Sequence, residues 1–489
     1  VFVLMTNKDP VLEGFPFPHI TSWPEHDLWS TVGIVDGHAG SAPTETWVPV
    51  VTHDSGVGGS VWRSNLSLLN RSTLPNLVRL RLRSGSTFAE AELTLGAGET
   101  RALEDVAGEL GFTGSAPLQV FSSEPVQVSS RTINQVSGGT FGQTLDPPSP
   151  AAALDQGDLG VLMHLREDSR FRSNLGLVNT GKRAAEVRVT LYDGSGVEVG
   201  GLQRTVSPYQ QVQLNRPFWT RGGRDDIASG YATVRVVEGL GVLAYASVVD
   251  NLTSDPTTIP PRTLPGSASA WVAAAAHAPG AFSSTWRTDL GVLNSSGQER
   301  SVTITVLDHG VQVGETVLAV QDGEQANLVD ALGLLGVDGT GAIAVAADGP
   351  VLVRSRTYNS TETGTFGQGL EGVGPEGAAS SGSTVWLTGL TENDGFRTNL
   401  GLVNVGTSSL RATIQLFDAI GTRVATWTEE LAAGEQRHVN RPFLSAAGRS
   451  DIDVGSASVT VEGGDGRLLA YASVIDNRTN DPTTIPMRF

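Results

Sequence analysis

A chain of 489 residues with a net charge of −18 and a pI near 4.9 is too long for one hydrophobic core, and too acidic to take a nucleic-acid backbone or an anionic lipid as its main partner. It has no cysteine, which excludes disulfides, thiolate metal sites and cysteine nucleophiles. At 39% hydrophobic and 17% charged residues it is globular, and its 59 glycines favour strands and tight turns.

The first 44 residues form an N-terminal extension. Val1, Phe2, Val3, Leu4 and Met5 make a short apolar strand, followed by TNKDP at residues 6–10. That segment is similar to the TNDP at 479–482 near the end of the chain. Burying such side chains stabilises by roughly 1.5–3 kcal/mol each. A sheet edge, in the same molecule or in a neighbouring copy, is the natural home for the strand. The rest of the extension is rich in Pro, Trp and His; His19, His26 and His38 read as surface residues.

After residue 44 one stretch recurs four times: WRSNLSLLN at 62–70, FRSNLGLVN at 171–179, WRTDLGVLN at 286–294 and FRTNLGLVN at 396–404. Each is a half-buried strand with a period of two. Phe171, Leu175 and Leu177 fall on one face, Arg172, Asn174 and Gly176 on the other. The closing Asn begins a turn. The copies are roughly 110 residues apart, the length of one β-sandwich. Trp62, Trp271, Trp286 and Trp386 read as core, and the repeated Arg (Arg63, Arg172, Arg287, Arg397) as a stem covering the sheet and pairing with a carboxylate such as the Asp at the end of the next strand.

The copies alternate in type. The second and fourth share LNRPF/VNRPF at 214–218 and 439–443, and LAYASVVDNLTSDPTTIP/LAYASVIDNRTNDPTTIP at 243–260 and 469–486. The first and third share SRTINQVSGGTFGQ/SRTYNSTETGTFGQ at 130–143 and 355–368, and a short helical patch at 103–111 and 328–336. The expected fold is all-β: four tandem antiparallel immunoglobulin-like β-sandwich domains, A-B-A-B, at 45–148, 157–262, 269–372 and 383–489. Pro- and Gly-Ser-rich linkers between them predict an elongated string.

No motif places a nucleophile beside a base, so no catalytic residue is predicted and the chain is read as a non-enzyme. The Asp-Asn-x-Thr-x-Asp-Pro segments carry Asp250, Asn251 and Asp255, then Asp476, Asn477 and Asp481. Two carboxylates and an amide within six residues could offer oxygens to Ca²⁺, or could form Asx-turns, the favoured reading. No cofactor is otherwise expected.

The anchor strand together with the YAS-V-[VI]-D-N segment resembles the repeat modules of secreted bacterial tandem-repeat proteins with immunoglobulin-like sandwiches, over about residues 45–489. The resemblance implies a secreted, cell-surface protein and brings no catalytic residues. The expected function is an extracellular structural protein, a fibre or filament subunit whose N-terminal strand inserts into a neighbouring copy, giving a homopolymer. The alternative is an adhesin or carbohydrate-binding protein that takes a cell-surface glycan through its loops. No apolar run reaches the about 20 residues that span a bilayer.

Overall fold

A computed structural model describes residues 44–489, apart from 57, 58, 86 and 149–151. The predicted assembly strand, Val1 to Met5, lies outside the described residues. The rest is all-β, in four successive antiparallel sandwiches with four main hydrophobic clusters.

Each repeated stretch is a central strand: Val61–Asn70, Phe171–Asn179, Thr285–Leu293 and Phe396–Asn404. The alternation holds on the inner face, where Phe171, Leu175 and Leu177 are buried. The outer face is not simply solvent. Gly176 lies beneath the ring of Tyr245, and Gly401 beneath Tyr471, so closely that a Cβ at either glycine would collide with it. The closing asparagines, Asn70, Asn179, Asn294 and Asn404, are all fully buried. The Asn179 amide donates to the carbonyls of Arg183 (2.7 Å) and Val206 (2.9 Å), and its oxygen accepts from the Gly181 N–H (2.8 Å). The turn is thereby pinned to the next hairpin by a side chain with no unpaired polar atom.

In the second domain one layer runs Glu198–Val206, Ala185–Asp193, Ile227–Glu238, Leu159–Glu167, with the short Arg262–Thr263 beyond. The other runs Gln211–Asn215, Phe171–Asn179, Val242–Asp250, Pro256–Ile259. The second strand thus sits between the fifth and the seventh. The fourth domain repeats this order. In the first and third domains the opening strand, Thr44–Ser55 or Ser267–Pro279, pairs into both layers across a register shift and joins them.

The predicted helical patches are single turns at Val106–Glu109 and Ala331–Leu334. Two further helices, Pro217–Gly222 and Pro442–Ala447, begin within the shared LNRPF/VNRPF motif. Their local signals are Pro at the first turn and Gly223 or Gly448 in the left-handed conformation at the end. Phe218 and Phe443 from these helices are fully buried. Trp62, Trp271, Trp286 and Trp386 are half-buried rather than core. At Trp62 the indole N–H gives a reason: its Nε1 donates to Ser60 Oγ at 3.0 Å, an acceptor that an aliphatic core lacks.

The expected elongated string does not form. The linkers fold back onto their domains, with Leu154 pairing Val242 and Ala379 pairing Leu468. The domains then close into a ring. Val50, Leu145, Val178, Leu243 and Tyr245 join the first domain to the second. Val161, Met163, Tyr231, Leu293 and Leu352 join the second to the third. The third core continues into the fourth domain through Val403, Val405, Leu469 and Tyr471. The first domain meets the fourth through backbone, Thr100 N–H donating to Ala419 O (2.8 Å), just as Gln325 N–H donates to Gly194 O (2.9 Å) between the third and second.

Candidate functional site: the four-domain hub

A late strand of each domain is rich in Gly, Thr or Pro. These strands, Gly139–Thr144, Pro256–Ile259, Gly364–Glu371 and Pro482–Pro486, meet at the centre of the ring, each against two of the others. The GTFGQ segment of the first and third domains and the D-N-x-T-x-D-P segment of the second and fourth interlock here, twice, with matching geometry.

Asp250 begins one interlock. Its Oδ1 accepts from the N–H groups of Leu252 (2.8 Å) and Thr253 (3.3 Å), the Asx-turn geometry. Its Oδ2 reaches into the third domain, accepting from Thr365 N–H (3.0 Å) and Thr365 Oγ1 (2.7 Å). Asp476 does the same with Arg478 (2.8 Å) and Thr479 (3.2 Å), then with Thr140 N–H (2.8 Å) and Oγ1 (2.9 Å) of the first domain. Further in, Asp255 Oδ2 accepts from Gly367 N–H (2.7 Å) and Arg356 Nη2 (3.4 Å). Asp481 Oδ2 accepts from Gly142 N–H (2.9 Å) and Arg131 Nη2 (3.1 Å). The same arginines donate to Thr257 Oγ1 (2.9 Å) and Thr483 Oγ1 (2.7 Å). Gln143 and Gln368 accept from Ser247 (2.8 Å) and Ser473 (2.9 Å), and Phe141 and Phe366 meet with centroids 5.7 Å apart. Each residue of the TFGQ motif therefore has an interdomain partner.

The turn residues do not fit a calcium ion. Both oxygens of Asp250 and of Asp476 already accept two hydrogen bonds each. Asn251 and Asn477 turn away, their oxygens accepting from Arg172 (2.9 Å) and Arg397 (3.0 Å). Arg131 and Arg356 supply the positive charge beside the inner carboxylates. Among the described residues, no group of three or more His, Asp or Glu is arranged to hold a metal.

The repeated arginine does not pair with the strand-end Asp. In the second and fourth domains it holds the turn asparagine. In the first and third it pairs with the Asp that caps the single-turn helix, Arg63 with Asp105 and Arg287 with Asp330, each at 3.3 Å. His53 and His277 bind those same carboxylates, with Nδ1–oxygen distances of 2.6 and 2.8 Å. These dyads were not singled out from sequence, because His and Asp lie about 50 residues apart.

The two halves of the ring differ at one interface. Where the fourth domain has Gly389 and the first has Ser129, the second has His164 and the third has Arg354. Arg354 is 2% exposed; it pairs with Glu371 and donates to Thr258 O. Burial lowers its pKa to about 9. His164 donates its backbone N–H to Gln325 Oε1 (2.6 Å), and its Nε2 lies 3.1 Å from Asn327 Oδ1. Burial and the nearby arginines hold its pKa down at about 3, so the ring is neutral. A cavity of about 520 Å³ opens beside the hub, with Tyr245, Tyr471, Arg354, Glu371, Asp146 and Arg488 among its lining.

No protein-family model and no curated protein matches the chain. Among solved structures it is similar to Thermotoga maritima 1070, at 16% identity over 23% of this chain and 100% of that one, with a TM-score of 0.19. It is also similar to a tetra-tandem repeat from the extending region of a large adhesion protein, at 14% identity over 86% of this chain and 93% of the other, with a TM-score of 0.11. A third similarity is to the CBM22-1–CBM22-2 tandem domain of Paenibacillus barcinonensis Xyn10C, at 12% identity over 73% of this chain and 86% of that one, with a TM-score of 0.14. Likeness at this level bears on neither family nor activity. What stands on the chain's own structure is a multidomain all-β protein in which the repeated TFGQ and D-N-x-T-x-D-P segments bind domain to domain.

Proposed function

We propose that the chain is a secreted, non-enzymatic structural module of a bacterial cell surface. One observation carries this reading. Two motifs that both halves repeat, TFGQ and D-N-x-T-x-D-P, are engaged with neighbouring domains of the same chain, which is the use a scaffold makes of them. The acidic surface and the lack of cysteine agree with export from a bacterium.

Assembly into a fibre is the finer form of the proposal, and one surface feature favours it. Among the described residues, the outer strand of each domain is paired on one side only: Thr87–Leu95, Glu198–Val206, Val311–Val320 and Arg423–Leu431. In the first domain the outward face of that strand carries Glu90 and Glu92, bound by Arg81 and Arg79. In the third it presents Val311, Val313 and Val317, which are 65%, 43% and 59% exposed, with the single carboxylate Glu315 among them. An apolar edge of this kind accepts an added strand, and Val1 to Met5 of another copy has the matching character. The test is electron microscopy of the purified chain with and without residues 1–5, with surface labelling of the source cells. Fibres that need residues 1–5 are expected. A monomer from the intact chain removes the fibre, and cytosolic labelling removes the surface assignment.

A further inference from the structure

The two inner aspartates of the hub are both buried, with no exposed surface at either residue. Each uses Oδ2 for the glycine N–H and the arginine of the adjoining domain. Each leaves a buried Oδ1 that meets no donor. The two carboxyls face each other across the centre of the ring, close enough for each to act on the other's charge, one from the second domain and one from the fourth. Two buried carboxylates so close together repel each other even with Arg131 and Arg356 alongside, and one proton between them would give each orphaned oxygen a partner.

We propose that Asp255 and Asp481 form a proton-binding site at the centre of the ring, and that a single shared proton latches the second domain to the fourth. When the proton leaves, two adjacent buried negative charges repel, and the ring loosens. Burial, the largest influence on both groups, raises both pKa values above the usual carboxylate range, and their mutual contact couples them.

Other charged groups face the pair from the packed elements. Arg131 and Arg356 lie alongside; Asp250 and Asp476 bind the same strands; Glu371 ends one closing strand. Arg354 lies on the strand that carries Arg356, His164 and Arg166 on the first strand of the second domain, whose last residue is Glu167, and Glu392 on the first strand of the fourth. His164 is neutral throughout pH 5 to 8, and burial brings the Arg354 pKa down to about 9, so measurements belong between pH 5 and 8.

The sign follows from linkage. A carboxyl whose folded pKa is raised binds a proton that the unfolded chain has released. Its stabilisation is complete below the unfolded value, about 4, and is lost as pH rises through the folded value. One such proton multiplies the unfolding constant by about ten per pH unit within that window. The experiment compares urea unfolding and X-ray scattering at pH 5, 6, 7 and 8 for the full chain and for Asp255→Asn, whose amide donates the same hydrogen bond without titrating. The wild type is expected to lose stability and expand with rising pH, and Asp255→Asn to lose that dependence. Equal slopes for both proteins overturn the proposal. Carbon-13 NMR of the wild-type aspartate carboxyls provides a reading that needs no variant: one carboxyl still protonated at pH 6 supports the site, and none protonated overturns it.

Discussion

Asp250→Ala is the sharpest probe of the interlock. The substitution removes an acceptor of four hydrogen bonds, two within its own turn and two from Thr365 of the third domain. Thr365 is 2% exposed, so its N–H and hydroxyl cannot turn to bulk water once the carboxylate is gone. Each buried group left unsatisfied costs about 1–3 kcal/mol. Asp193 offers the comparison: its Oδ1 accepts from Ser195 N–H and Oγ and from Val197 N–H, all within one exposed turn of one domain. Asp193→Ala is expected to cost about 1 kcal/mol, and Asp250→Ala about 3 kcal/mol more. Urea unfolding measures both, and hydrogen exchange should show the extra loss at residues 364–367 of the third domain. If Asp250→Ala costs no more than Asp193→Ala, the interdomain bonds contribute nothing and the scaffold reading loses its support.

Further expectations concern the repeat itself and the outer edge. Asn179→Ala leaves the Arg183 and Val206 carbonyls and the Gly181 N–H without their partner, and should cost about 2–4 kcal/mol in urea unfolding; a loss below about 0.5 kcal/mol would show that the turn stands without it. Gly176→Ala drives a methyl into the ring of Tyr245, which packs in the cluster between the first two domains, and should lower stability by about 1–3 kcal/mol. An unchanged melting temperature would mean that the ring swings away freely. Val317→Lys charges the exposed edge of the third domain and should abolish fibre growth with the melting temperature unchanged. Fibres as abundant as before would place the assembly surface elsewhere.

What could be read from the residues was local. The period of two in Phe171–Asn179, the asparagine turn that follows and the recurrence of both need only a few neighbours along the chain to act. They determined the strands, the antiparallel sandwiches and the alternation of two domain types. The helices at Pro217–Gly222 and Pro442–Ala447 carried equally local signals, a first-turn Pro and a terminal Gly, and were there to be read. The aspartates were of another kind. An Asp-Asn-x-Thr-x-Asp-Pro turn has the same local chemistry whether its outer oxygens meet water, a cation or a neighbouring domain. The choice fell to Thr140 and Thr365, more than 100 residues away, and to the folding back of linkers that composition alone describes as extended. Closure of the ring buried Asp255 beside Asp481, because only the packing of four domains around one axis brings together groups so distant along the chain.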